Sequence, residues 1–320
     1  MVYPGAVHTR FEHSLGVMHV ATKIFDNIVD QCREMLDSEY GYKEDGLNKV
    51  RTIIRLAALL HDVGHPPFSH AGESIMPYKD NGKLYKHEDY SSEIVKTVFK
   101  ELIEDHKFNN NYGLKAEDVA AFIVKDYKVL KRYLFWTDII SGQVDADRID
   151  YLLRDSYHIG VRYGVFDLDR LLKTIVLINT DDMPILSFKE GGLHVAESLI
   201  LARYYMFTQV YFHHTRRAYD YHIKNAVKEI LVRSGYKDGR MKRPDGKENI
   251  YDYLMWDDWK VGNLIKENAD IYDCGAILNR DHYRCVYHTN EVPNISDLEK
   301  FHVICEKIRN EIDNGSVKFK

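Results

Sequence analysis

The stretch "VRTIIRLAALLHDVGHPPFSH", residues 50–70, decides the fold. From Ile53 to Leu60 it is apolar nearly all round, interrupted only by Arg55. A helix apolar on every side belongs inside a protein, and Gly64 suits the left-handed residue that commonly ends one. His61 and Asp62 then stand at the C-terminal end of a buried helix, followed closely by His65 and His70. Polar groups in that place cost free energy unless they are partnered. A bound metal ion would partner them.

Working outward, the flanking periodicity is also helical. Leu15, Met18, Ala21, Ile24, Phe25, Ile28 and Val29 recur at three- and four-residue steps, as on a helix with one buried face, and His13 lies near its start. "HEDYSSEIVKTVFKELIED", residues 87–105, carries the stripe Ile94, Val95, Val98, Phe99, Leu102 and Ile103, with Ser91 or Ser92 as N-cap. "TDIISGQVDADRIDYLLRDSYHIG", residues 137–160, sets Asp147, Tyr151 and Asp155 at i, i+4 and i+8, in one row. Ile175 to Ile178 and Ile185 to Phe188 read as a hairpin around a polar turn at Asp181 and Asp182. A long helix dense in aromatic residues comes next, from about 194 to 232, and then a loop or boundary at about 234–248. The expected architecture is all-α with a small hairpin near 174–188, divided into a main domain over 1–233 and a helical extension over 234–320.

The 320 residues suffice for a substantial core. Cys32, Cys274, Cys285 and Cys305 form no CxxC pair, which fits free thiols in a reducing compartment. With no apolar run of membrane length and no secretory leader pattern, the expected setting is cytoplasmic, without a membrane. A net charge of −5, from 44 Lys+Arg against 49 Asp+Glu, offers no global field for nucleic acid. A small anionic substrate remains compatible where arginines gather.

His13, His61, Asp62 and Asp147 are the residue types a catalytic cation takes, neutral imidazoles and carboxylates converging from separate elements. Each also has a plain structural reading. His13 alone fits a helix cap, His61 with Asp62 a polar helix ending, and Asp147 one of several solvated acids in "DADRID".

The strings "YPGAVHTRFEHSLGV", "LLHDVGHPPFSH", "KHED" and "VDADRIDYLLRDSYHIG" occur in this order, and together they resemble the HD-domain phosphohydrolases, most closely the deoxynucleoside triphosphate triphosphohydrolase branch. The resemblance runs from Val2 to about Ile223 and implies specific roles. His13, His61, Asp62 and Asp147 would hold a divalent metal: iron, manganese, zinc, cobalt or magnesium. His65 and His70, with Glu73 nearby, would line the triphosphate channel, and His87 with Glu88 would match the catalytic His–Glu pair. Arg10 would contact phosphate or sugar and Arg148 phosphate, Tyr151 and Asp155 would recognise the deoxyribose, and Arg217 and Tyr219 would supply a further phosphate contact and a wall of the base pocket. The implied activity is hydrolysis of a dNTP to deoxynucleoside and triphosphate by a homo-oligomer, dimer or tetramer.

Two departures accompany the match. The family's domain begins earlier, with a Gln-Leu-Gly-type string, so the N-terminal edge reads as truncated. Tyr211 or Phe212 stands where some relatives carry a phosphate-binding arginine. An HD-type phosphodiesterase or nucleotide phosphatase is the alternative enzyme, and a non-catalytic nucleotide-sensing module the alternative of another class.

Overall fold

The apolar run at 53–60 lies in the larger of two hydrophobic cores. Helix α1 (Arg10–Ser38) packs along helix α2 (Glu44–Leu60), and α2 buries Val50, Ile53, Ile54, Ala57, Ala58 and Leu60. Facing them, α1 buries Ala21, Ile24, Phe25 and Ile28 of the positions expected of it, together with Val17 and Val20, which are not among them; Leu15, expected on this face, is exposed. Each fully buried Val, Leu, Ile or Phe side chain here contributes about 1.5–3 kcal/mol. Thr9 starts α1 with a capping box: its side chain accepts from the Glu12 backbone N–H, and the Glu12 carboxylate accepts from that of Thr9. The computed structural model describes residues 2–314 except 181, 182, 286, 288 and 291.

Helices α3 (His87–Thr97), α4 (Ala116–Val124) and α5 (Ala146–Ile159) complete the walls around α1 and α2. Strands β1 (Ile175–Ile178) and β2 (Ile185–Phe188) pair antiparallel, Ile175 opposite Phe188 and Ile178 opposite Ile185. The predicted turn residues Asp181 and Asp182 lie outside the described residues. Helices α6 (Leu193–Met206) and α7 (His214–Arg233) come after the hairpin, then α8 (Lys247–Leu254), α9 (Asp258–Glu267), α10 (Tyr272–Asn279) and α11 (Ile295–Asp313). The fold is thus helical, with one small hairpin among the described residues. Among those residues no helix is long and apolar enough to cross a membrane.

The chain forms two compact units, Met1–His282 and Tyr283–Lys320. Inside the first, a second core joins Ile75, Met76, Tyr90 and Ile94 to Val227, Ile230 and Leu231 of α7 and to Ile250, Tyr253, Trp256, Val261 and Ile265. Residues on both sides of the 234–248 loop therefore pack behind the HD motif.

Four local expectations are corrected. Gly64 is not left-handed; a Cβ there would lie 2.2 Å from the Ser91 backbone nitrogen and 2.4 Å from the His87 carbonyl oxygen, so its lack of a side chain allows α3 to approach. The left-handed residues of this loop are Phe68 (φ 59°) and Ser69 (φ 56°). Neither Ser91 nor Ser92 caps α3, which starts at His87 after Lys86; Ser91 is buried, donates to the His61 carbonyl at 2.5 Å and accepts from the Gly64 N–H at 2.9 Å. The helix expected through 105 breaks at Val98 and Phe99, leaving Leu102 exposed. The long aromatic helix is also broken, by a π turn at Phe207–Tyr211, closed by the Phe212 N–H on the Phe207 carbonyl at 3.0 Å.

Candidate functional site

His13, His61, Asp62 and Asp147 meet where α1, the end of α2 and the first turn of α5 converge. His13 Nε2 lies 3.0 Å from Asp147 Oδ1 and 3.7 Å from Asp62 Oδ2. His61 Nε2 lies 3.2 Å from Asp62 Oδ1 and 3.7 Å from Asp147 Oδ1. The other nitrogen of each ring is engaged behind the site. His61 Nδ1 donates to the Ala58 carbonyl at 2.8 Å, and His13 Nδ1 donates to Asp150 Oδ2 at 2.8 Å.

That arrangement tests whether a cation belongs here. With Nδ1–H committed to a carbonyl, a neutral His61 turns a bare lone pair toward two carboxylates, and Nε2 is buried with no hydrogen-bond partner. Carboxylate oxygen against imidazole lone pair is repulsive. A proton or a metal ion removes the conflict, and a set of two imidazoles and two carboxylates suits a divalent transition metal. The ionisation of the group agrees. Burial opposes charge on His13, yet its hydrogen bonds to Asp147 and Asp150 raise its pKa to about 9. Burial likewise opposes charge on Asp62 and Asp147, and the surrounding histidines hold both well below the carboxylate range. The residues fit the metal that the sequence implies.

Asp145 takes a different part. It caps α5 by accepting from the Arg148 N–H at 2.8 Å, and burial beside Asp147 pushes its pKa up to about 7. Asp150, unassigned by the sequence, orients His13 and is itself gripped by Arg154 Nε and Nη2, each at 2.8 Å. Gly16 makes room for that pair, since a Cβ there would fall 1.8 Å from Asp150 Oδ1. The i, i+4 spacing of Asp150 and Arg154 was the available signal.

A second histidine group adjoins the first. His65 and His87 stack with centroids 3.7 Å apart, and Glu73 Oε1 lies 2.9 Å from His87 Nδ1 and 3.0 Å from His70 Nδ1. These hydrogen bonds outweigh burial and hold Glu73 far below the carboxylate range, while the same bond raises His70. Burial instead lowers His65 to about 4, so it is neutral at pH 7. Arg10 spans the two groups, pairing with Asp62 through Nη1 and donating from Nε to Ser69 Oγ at 2.8 Å.

Both groups open on one cleft of about 980 Å³. Of the residues singled out from sequence, Arg10, His13, Asp62, His65, His70, His87, Glu88, Asp147, Tyr151, Asp155 and Arg217 line it, with His61 buried behind. Two do not line it. Arg148 turns its guanidinium to the Gly142 and Gln143 carbonyls, at 2.5 and 2.7 Å, and Tyr219 packs against His282, centroids 5.1 Å apart. Arg216 lines the cleft beside Arg217, with Lys224, Tyr211 and His8. The loop bearing His65 and His70 is fastened from far along the chain: Tyr253 Oη donates to the Gly64 carbonyl at 2.7 Å, and the Phe68 N–H donates to Asp258 at 2.6 Å. No local pattern signals either contact.

Known proteins are similar to this chain in sequence and in fold. The HD domain family matches residues 10–155, and the HD associated region matches residues 166–262. An uncharacterized protein of Methanocaldococcus jannaschii is 39% identical over 231 residues, 72% of this chain and 41% of that one. The deoxynucleoside triphosphate triphosphohydrolase SAMHD1 homolog of Dictyostelium discoideum is 32% identical over 231 residues, 71% of this chain and 41% of that one. The chain spans less than half the length of these curated relatives. A crystal structure of a hypothetical protein from Aquifex aeolicus superposes with a TM-score of 0.71 at 29% identity, covering 97% of this chain and 71% of that one.

Proposed function

From the premise that the chain belongs to the HD-domain phosphohydrolase superfamily, we propose that it hydrolyses deoxynucleoside triphosphates to deoxynucleoside and inorganic triphosphate. The observation that carries this reading is the row on α5, where Asp147 at the metal end, Tyr151 and Asp155 all line one cleft. At 1.5 Å rise per residue, Asp147 and Asp155 stand about 12 Å apart along the helix. One rigid element thus spaces a sugar-reading carboxylate from the phosphate end.

A divalent cation held by His13, His61, Asp62 and Asp147 would supply Lewis-acid stabilisation and lower the pKa of water. The remaining chemistry falls to the chain. Water adds to the α-phosphorus, the bond to the 5′-oxygen breaks, and that oxygen takes a proton. Glu73 occupies Nδ1 of both His70 and His87, so Nε2 is the atom each has left for proton transfer. Arg10, Arg216 and Arg217 face the developing triphosphate charge, and Tyr151 stands where a 2′-hydroxyl would crowd it. The working form on this reading is a cytoplasmic homo-oligomer, dimer or tetramer.

The test is to incubate the purified chain with each dNTP and rNTP plus Mn²⁺, Mg²⁺, Fe²⁺ or Co²⁺ and to identify products by ³¹P NMR. Inorganic triphosphate with deoxynucleoside is the expected result. Release of orthophosphate, cleavage of diesters alone, or binding of dNTP without turnover would overturn it, in favour of a phosphatase, a phosphodiesterase or a sensing module respectively, and release of pyrophosphate with monophosphate would overturn it in favour of a pyrophosphohydrolase.

A further inference from the structure

We infer that His8 and Tyr211 are positioning residues that hold Asp155 as the reader of the substrate's 3′-hydroxyl, an inference that rests on the dNTP reading above. Asp155 lies at the end of the cleft remote from the metal ligands, and its carboxylate is gripped on both oxygens. His8 Nε2 lies 2.7 Å from Oδ1, and the Tyr211 hydroxyl donates to Oδ2 at 2.6 Å. Three elements therefore converge on one side chain: the segment before α1, the helix α5 and the π turn.

Each partner is fixed in turn. The His8 ring stacks on His158, centroids 4.4 Å apart, which sets the plane in which Nε2 points. Arg216 Nη1 donates to the Tyr211 carbonyl at 2.9 Å, and the Tyr211 ring meets Tyr151 edge-on at 6.1 Å. Burial next to the Asp155 carboxylate pushes the Tyr211 phenol strongly upward, so it stays protonated and remains a donor.

An ionised carboxylate offers about four acceptor sites. His8 and Tyr211 use two and fix the orientation of the rest. What the held carboxylate presents to the cleft is acceptor capacity alone, which matches a hydroxyl donor and repels another acceptor. A site built to bond a hydroxyl discriminates strongly against an analogue lacking it, because its own polar group is then left unmet. An unanchored aspartate would rotate and lose much of that preference.

The experiment measures kcat/KM for a dNTP and for its 2′,3′-dideoxy analogue with wild type, Tyr211→Phe, His8→Ala and His8→Gln. Wild type is expected to favour the dNTP by about tenfold or more. Tyr211→Phe and His8→Ala should each shrink that ratio several-fold, because the analogue has no hydroxyl contact to lose, and His8→Gln, which keeps a side-chain N–H, should recover part of it. Tyr211→Phe preserves the ring and so gives the result even where a residue-8 variant fails to fold. Equal losses for both substrates, or an unchanged ratio, would overturn the inference and reduce the clamp to a structural tie. A wild type that releases triphosphate without preferring the 3′-hydroxyl sinks this inference alone; one that releases triphosphate from no dNTP sinks the dNTP reading and this inference with it.

Discussion

The two ends of the cleft are built from similar groups and left in opposite states. At one end His61 Nε2 is buried without a hydrogen-bond partner and faces two carboxylates. At the other, both oxygens of Asp155 are already answered by protein groups. A buried lone pair turned toward two carboxylates calls for a cation between them; a carboxylate held on both oxygens is fixed in orientation before any ligand arrives. The histidine cluster beside Asp62 is intermediate, since Glu73 satisfies one nitrogen of His70 and one of His87 and leaves the other of each available.

The largest effect that would break this contrast lies at the metal end. Asp62→Ala should abolish metal retention, read as metal per chain by mass spectrometry, and lower hydrolysis by about 10³ or more, ~4 kcal/mol of barrier. Full metal content in that variant would show the unmet lone pair is not the ion's place. Next, Asp150→Ala releases the ring of His13 and should weaken metal affinity by about 10–100-fold in a chelator competition while the fold persists. At the Asp155 end, Tyr151→Ala should leave metal content unchanged and, on the proposed function, lower the preference for dNTP over rNTP by about tenfold; a change in metal content would mean the two ends are not separable. The smallest expected effect is that of Tyr253→Phe, which strips the HD loop of one buried hydrogen bond. That costs about 1 kcal/mol, seen as a fall of a few degrees in Tm with metal content intact.

What was legible in the sequence divides along physical lines. Helical periodicity is a local signal, so α1 emerged with part of its core face and α2, α5 and the hairpin with their places in the chain, and an apolar run ending in His61 and Asp62 exposed its own conflict. Gly64 misled because a glycine after a helix has two explanations, backbone conformation and close approach, and only the packing of α3 distinguishes them. Ser91 misled for the same reason: a cap and a buried bridge to the HD loop use the same hydroxyl. Arg148 resembles a phosphate contact in one dimension, yet nearby carbonyls claim its guanidinium first. Residues 249–265 carried no functional signal because their link to the loop, through Tyr253 and Asp258, spans 189 and 190 positions of the chain.

The π turn at Phe207–Tyr211 sets a phase. Such a turn carries one residue more than an α-turn about the same axis, so the chain beyond it is rotated by about 100° from where an unbroken helix would deliver it. Tyr211, at the end of that turn, is brought to Asp155 by this offset. Deleting any single residue between 207 and 211 would scarcely alter length, composition or charge. It would nonetheless turn the donor away from its acceptor, so the register of this one turn, and not its composition alone, fixes the hold on Asp155.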